Sequence, residues 1–371
     1  MIGSLRLALA TLVVAFSVAT SQRSTITRAA FAPKVDSLAK AYLNESGAPS
    51  VAIAVIRGND TLAFAAYGTA NIAASRPATS AMIYEIGSIT KQFTAAAVMR
   101  LVEQGKVKLD DDMSKYIPQF PLQGRHVTIR QLLNHTSGIH SYTSSPGWQK
   151  TWSKDLSPDE IIAFVARDTF DFAPGSAFRY NNTGYVMLGM VIEKASGQRY
   201  ADYLASQFFK PLGLKHTAYC PSKTTDPNFA SGYTKTPSGA APANYLSLTH
   251  PFAAGALCST VGDLVQWQRA LASGKVVSPA SYKLMSTADT LDNGKRLNYG
   301  FGLFPSTVLG HDVVAHTGGI PGFATAAIFS PDDTLSIVTF TNFDAASPNA
   351  LAQKLLRIAY GAAPEDKQTR P

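Results

Sequence analysis

Ser88 and Lys91 stand three residues apart in Ile86-Gly87-Ser88-Ile89-Thr90-Lys91, just ahead of the apolar run Phe93 to Met99. After Gly87 the pattern turns helical, with Ile89, Phe93, Ala96, Val98, Leu101 and Val102 mostly on one side and Gly105 placed to end the helix. Ser88 is then a first-turn residue, where free backbone N–H groups and the helix dipole favour negative charge. Lys91 falls on the same helix face and brings its amine beside the hydroxyl. A lysine in a partly desolvated pocket can lose its proton near neutral pH and act as a base toward the serine, the Ser-x-x-Lys arrangement of acyl transfer.

The spacing alone is not diagnostic, because Ser37-Leu38-Ala39-Lys40 fits it too, inside an amphipathic helix predicted from Val35 to Ser46. Ser88 therefore needs partners elsewhere in the chain. One candidate is Arg179-Tyr180-Asn181-Asn182, ahead of an apolar helix from Val186 to Ala195 that Gly197 closes. Two positions apart in an extended loop, Tyr180 and Asn182 point the same way, so Tyr180 can exchange protons with Ser88 while Asn182 bonds Lys91 or a substrate amide. The plainer alternative has Asn182 capping the helix and Tyr180 packing; Tyr42-Leu43-Asn44 repeats the bare spacing. A second candidate is His316-Thr317-Gly318-Gly319, at the end of a strand and before Ile320-Pro321-Gly322. Its glycines permit close backbone approach, so that the Gly319 N–H can join that of Ser88 in an oxyanion hole, with Thr317 offering a hydroxyl and His316 a switchable polar group. A simple glycine turn between strands is the alternative there.

The elements that must position these residues divide the chain into three stretches. Ser50 to Ile56 and Thr61 to Tyr67 read as strands joined by the turn Arg57-Gly58-Asn59-Asp60. Helical signals dominate from 88 to about 290, with Thr128 capping Ile129 to Asn134, a capping box at Ser157-Pro158-Asp159-Glu160, and Thr260 starting a helix that ends near Gly274. Strands return at Gly300 to Phe304, Val313 to His316, Phe323 to Phe329 and Leu335 to Thr341, followed by an amphipathic helix near Pro348 to Tyr360. The expected fold class is α/β (α+β): an antiparallel sheet formed from both chain ends and flanked by helices, with a mainly helical subdomain inserted and Ser88 at the floor of the cleft between them. The expected organisation is a signal peptide at 1–21, one domain at 22–363 (sheet region about 30–80 and 295–362, helical region about 81–294) and a loose tail at 364–371.

With 371 residues, 46% hydrophobic and 16% charged, the chain can bury a large core. Arg6, the apolar run Leu7 to Ala19 and the small residues Ala19 and Ser21 read as a secretory signal peptide, with an uncleaved anchor as the alternative. The expected location is therefore secreted or periplasmic, with no integral membrane span once the signal is removed. Export makes a Cys220–Cys258 disulfide chemically feasible, although sequence cannot bring the two within reach. No metal or cofactor is expected, since no ligand cluster is present. The formal charge of +8 is scattered and often faces acids, as in Lys106 and Lys108 before Asp110-Asp111-Asp112, which leaves no nucleic-acid footprint. A mild attraction to an anionic cell wall is compatible with it.

Taken together, and in this order, the three pieces resemble the serine β-lactamase and penicillin-binding-protein superfamily, in the branch of class C β-lactamases, secreted DD-carboxypeptidases and related esterases. Gln131 to Ile139, Tyr185 to Gly189, Pro211 to Leu214, and Ser259 to Leu264 with Trp267 extend the likeness, which covers about Val35 to Tyr360. The resemblance implies a β-lactamase/transpeptidase-like fold, Ser88 as acylated nucleophile, Lys91 as its proton partner and Tyr180 as general base and acid. It further implies Asn182 as a substrate and lysine contact, and the Ser88 and Gly319 N–H groups as the oxyanion hole; the first proton is assigned to the Lys91–Tyr180 pair. His135 looks structural. One departure stands out: β-lactamases of this branch usually have Lys where this chain has His316, and His-Thr-Gly is similar to certain secreted DD-carboxypeptidases. The expected function is thus a secreted serine hydrolase of the D-alanyl-D-alanine carboxypeptidase kind, acting on a small-molecule or peptide substrate. The alternatives are an esterase on small acyl esters, a class C-like β-lactamase, or a catalytically silent module that binds peptide or cell wall. Two further expectations are that His316 changes charge between about pH 5 and 8 against a substrate carboxylate, and that the loops Ser141 to Trp152 and Ser222 to Asn244 border the cleft. Arg296 is read as a solvated loop residue, with contact to a substrate carboxylate as the alternative.

Overall fold

The computed structural model describes residues 26–364 except 168 and 223; the segment read as a signal peptide and nearly all of the tail lie outside the described residues. In chain order the strands are β1 (Ser50–Arg57), β2 (Asp60–Asn71), β3 (Arg76–Pro77), β4 (Tyr84–Glu85), β5 (Ala218–Tyr219), β6 (Tyr233–Thr236), β7 (Gly239–Pro242), β8 (Leu257–Ser259), β9 (Phe304–Val308), β10 (His311–Ile320), β11 (Phe323–Ser330) and β12 (Leu335–Thr341). A seven-stranded sheet runs in the order β3-β2-β1-β12-β11-β10-β9, so the first and last parts of the chain meet where β1 lies beside β12. That pairing is antiparallel, from Val51 opposite Thr341 to Arg57 opposite Leu335.

Alternation along the central strands explains how the sheet is covered on both sides. Val51, Ile53 and Val55 of β1, with Leu335 and Ile337 of β12, pack against Phe31, Val35, Leu351 and Leu355 of the terminal helices Arg28–Ser46 and Pro348–Ala359. The intervening Ala52, Ala54, Val338 and Phe340 join the larger core of the helical region. Small alanines on that face let helices sit close, which is why β1 is buried along most of its length.

The helix after Ser88 runs Thr90–Glu103 and is buried on all sides from Thr90 through Met99, not on one side only. A helix apolar all round belongs at the centre of a domain, and this one occupies that place, with Phe93 stacked on Trp267 at 3.8 Å between ring centres. Three departures from the expected elements stand out. The terminal helix begins at Arg28, capped by Thr27, well before Val35. A small sheet β4-β8-β5 and the β6–β7 hairpin lie within the stretch read as helical. The strand expected at Gly300 to Phe304 begins only at Phe304, whereas β10 continues through the His-Thr-Gly-Gly motif to Ile320, leaving Pro321-Gly322 as the turn. Cys220 and Cys258 are joined in a disulfide with Cα atoms 5.2 Å apart, tying the end of β5 to β8. Among the described residues no helix is long and apolar enough to cross a membrane.

β10 presses directly on the serine turn, and two glycines make this possible. Gly87 has φ +51°, and a Cβ there would lie 2.9 Å from the Gly319 nitrogen; a Cβ on Gly318 would lie 2.0 Å from the Ile86 carbonyl oxygen. Gly318→Ala should therefore force strand and turn apart and destabilise the protein by about 1–3 kcal/mol, the usual cost of overpacking. Urea unfolding checks this, and an unchanged midpoint would show that the contact tolerates more room.

Candidate active site

Ser88 lies in a single 3₁₀ turn, Gly87–Ile89, that leads into the Thr90–Glu103 helix. The turn is held from several sides. The Ile86 N–H donates to the Leu257 carbonyl at 2.9 Å, the Leu257 N–H donates to Thr90 Oγ1 at 3.1 Å, and Thr325 Oγ1 donates to the Ile86 carbonyl at 2.9 Å. β8 and β11 thus fix the chain on both sides of the serine.

Lys91 is completely buried, and its Nζ has three polar neighbours: Ser88 Oγ at 3.1 Å, Asn182 Oδ1 at 2.9 Å and the Ala254 carbonyl oxygen at 2.8 Å. None of these is a carboxylate. Burial without a counter-charge holds the amine well below its ordinary 10.5. A neutral amine has two N–H bonds and one lone pair, and the two carbonyl-type oxygens can only accept. In the neutral form, with both N–H bonds so engaged, the lone pair faces the Ser88 hydroxyl; in the charged form the third N–H donates to it.

Asn182 is the first residue of the helix Asn182–Ser196, and the cap is its neighbour Asn181, whose side chain accepts from the Gly184 N–H at 2.8 Å. Capping by Asn182 is thereby excluded, and its side chain is available to the cleft. Its Nδ2 faces Thr143 Oγ1 at 3.4 Å while its Oδ1 accepts a hydrogen bond from Lys91 Nζ. Tyr180 lies on the same side, its ring centre 4.8 Å from Lys91 Nζ. The Tyr180 hydroxyl is buried with no closed hydrogen bond to a protein group; burial raises its pKa above the usual 10.0 and Ser88 partly offsets that.

His316, Thr317 and Gly319 alternate along β10. Thr317 and Gly319 face solvent, whereas His316 is 2% exposed. Its Nδ1 lies 2.6 Å from the Thr317 carbonyl oxygen and so carries the proton, which leaves Nε2 to accept from the Tyr299 hydroxyl at 3.1 Å. Burial first, and then the nearby Lys91, pull its pKa from 6.5 down to about 3. The expected charge change between pH 5 and 8 is therefore wrong: in this setting His316 stays neutral throughout that range. His135 is buried beside it, its ring 4.4 Å from that of Tyr180, and its Nδ1 accepts from the Asn181 N–H at 3.1 Å. That arrangement is a scaffold for the Tyr180–Asn182 loop.

A small cleft opens over Ser88, with Tyr142, Thr143 and Trp148 on one side and Ile320 and Pro321 on the other. Of the two loops expected to border it, Ser141 to Trp152 does so, while the second wall comes from Leu246 and Pro251, beyond the end of Ser222 to Asn244. Trp148 is steadied from behind, its indole N–H donating to His250 Nδ1 at 3.0 Å. Arg296 lines a separate groove beside β9, and the Ser37/Lys40 pair lies exposed on the Arg28–Ser46 helix. Sequence reasoning missed the Ala254 carbonyl, Thr143 and Tyr299. A backbone acceptor carries no residue signature, and the only hint of Ala254 is the run of small residues Ala253 to Ala256. Among the described residues no group of His, Cys, Asp and Glu could hold a metal ion.

Neutral buried histidine has a consequence for stability. The unfolded chain binds a proton at His316 below about pH 6.5, whereas the folded protein resists until about pH 3. Its contribution is thus fully present above pH 6.5 and is lost as pH falls through this window. Urea midpoints at pH 7 and pH 4.5 should show that acid loss, and His316→Gln should show a shallower one.

The β-lactamase family pattern matches residues 35–361. Penicillin-binding protein 4* of Bacillus subtilis (strain 168) is 31% identical over 335 residues, covering 85% of this chain and 73% of its own. Among solved structures, the octameric penicillin-binding protein homologue from Pyrococcus abyssi superposes with a TM-score of 0.81 at 29% identity, over 90% of this chain and 78% of that one. The D-stereospecific amidohydrolase from Streptomyces sp. gives 0.77 at 29% identity, over 90% and 99%. With the antiparallel sheet, its flanking helices and this match over most of its length, the chain belongs to the β-lactamase family and is a serine hydrolase of the β-lactamase and penicillin-binding-protein kind.

Proposed function

We propose that the protein is an exported hydrolase that cleaves an amide bond on the carbonyl side of a D-amino-acid residue through an acyl-enzyme on Ser88. The observation that carries the reading is the bonding of Lys91: two acceptors fix its N–H groups and the third contact is the Ser88 hydroxyl. In the first step the Ser88 proton passes to the lysine lone pair while Oγ bonds the substrate carbonyl carbon. The carbonyl oxygen becomes an oxyanion, for which the N–H groups of Ser88 and Gly319 are the proposed donors. Collapse breaks the bond to the leaving nitrogen, which must gain a proton to depart. Tyr180 suits that task, since burial keeps its phenol protonated and its hydroxyl lacks a closed protein partner. The phenol is then reprotonated from the lysine, and a water takes the place of the leaving group to release the acid and free Ser88.

Within this scheme Lys91 is the acceptor of the first proton and Tyr180 the donor to the leaving group, a division that raised and lowered pKa values favour. Asn182 orients the amine through Oδ1 and presents Nδ2 toward the cleft beside Thr143. Thr317, exposed on the cleft-side face of β10, is the proposed hydroxyl contact for substrate. His316 has both nitrogens occupied by protein groups, so its proposed role changes from substrate contact to support of β10. The amide reading draws on the amidohydrolase likeness and the penicillin-binding relative. A cell-wall peptide is a fitting source of such a bond for an exported protein, and the N-terminal segment read as a signal peptide is what suggests export.

Turnover of a D-alanyl peptide or amide, a p-nitrophenyl ester and a chromogenic cephalosporin, measured side by side, tests this function. Amide cleavage that disappears in Ser88→Ala is the expected result; ester or cephalosporin turnover alone would reject the amide reading. Lys91→Ala should lower kcat by about 10²–10⁴-fold, the range for a general base. Tyr180→Phe should slow amide cleavage far more than p-nitrophenyl ester cleavage, because nitrophenolate departs without a proton. Equal losses on both substrates would assign Tyr180 to another step.

A further inference from the structure

We infer that the cleft takes substrates whose leaving side carries no free carboxylate, so that the enzyme is an amidase or an internal peptidase and not a carboxypeptidase. This deepens the proposed Ser88 chemistry and rests on it. A terminal carboxylate brought into a narrow cleft loses water, and the loss is offset only by an opposite charge or a dense set of donors. The residues around the cleft supply hydroxyls, one side-chain amide from Asn182, backbone, and apolar or aromatic surface from Tyr142, Trp148, Leu246 and Ile320; among the described residues its lining carries no arginine or lysine.

The basic side chains nearby are already committed. Lys91 has its three valences on Ser88, Asn182 and Ala254, and none is left to meet a carboxylate. His316 lies on the opposite side of β10 from Thr317 and Gly319. It is buried, one nitrogen bonded to the Thr317 carbonyl and the other to the Tyr299 hydroxyl. Arg179, next to Tyr180, forms an ion pair with Asp171 at 2.8 Å and lies over the Phe172 ring. Arg296 belongs to the groove beside β9. An uncharged leaving side, by contrast, meets an aromatic wall that is rigid, since Trp148 is bonded to His250 and His250 in turn to the Lys154 carbonyl at 2.8 Å.

The test is a matched pair, N-acetyl-D-alanyl-D-alanine and the same dipeptide ending in a carboxamide, with initial release of N-acetyl-D-alanine as the readout so that only the shared bond between the two residues is counted. The full protein should show kcat/KM at least about tenfold higher for the carboxamide, in line with an unpaired buried charge. Equal or faster cleavage of the free acid would overturn the inference. If neither is turned over, the pair is compared as protectants of Ser88 against a fluorophosphonate probe. Protection by the carboxamide at about tenfold lower concentration supports the inference, and equal or better protection by the acid overturns it. Failure of the underlying chemistry looks different: the probe would then leave no adduct on Ser88 at all.

Discussion

A lysine amine buried without a counter-charge is the constraint around which this molecule is arranged. Water would hold Lys91 as an ammonium; inside the protein it is surrounded by the rings of Tyr180 and Tyr185, with two neutral oxygens and one serine as its polar contacts. Such a site is stable only if those oxygens are held in place, because a displaced acceptor would leave a buried donor unsatisfied. Each comes from a different part of the chain. Ala254 lies within the short helix Phe252–Gly255 before β8, and Asn182 opens a helix whose cap, Asn181, is tied to the loop around His135 and Ile139.

The sheet supplies the remaining side of the site. β10 is an inner strand of a sheet closed by both chain ends, so its position depends on pairing through β11 and β12 back to β1. Its glycines allow it to lie against the serine turn at backbone distance. The disulfide adds a second tie, fastening β5 to β8, whose residue Leu257 bonds both Ile86 and Thr90. Stabilising the fold and aligning the reacting groups are therefore largely the same set of contacts.

Much of this was legible in the residues. Ser88, Lys91, Tyr180, Asn182 and Gly319 were singled out by type and spacing, and the structure gathers them beside one cleft. The hairpin at Arg57 to Asp60, the cap at Thr128 and the capping box at Ser157 were equally readable, since those signals are local. What escaped was non-local. His316 carries a titratable ring, and only packing against Tyr299 and Phe304 shows that it cannot charge near neutral pH. The β4-β8-β5 sheet consists of strands two or three residues long, below the length at which alternation can be seen. Extension of β10 through two glycines ran against strand propensity and was decided by pairing with β11.

The central claim is that Lys91 is a base because its burial and its two fixed acceptors leave a lone pair for Ser88. Titration of the Lys91 side chain by ¹⁵N-detected NMR in the full protein addresses it directly. The account predicts a transition well below 10.5 that moves upward when Ala at position 254 is kept but Asn182→Asp supplies a counter-charge. An ammonium signal persisting to pH 10.5 in the unaltered protein would contradict it.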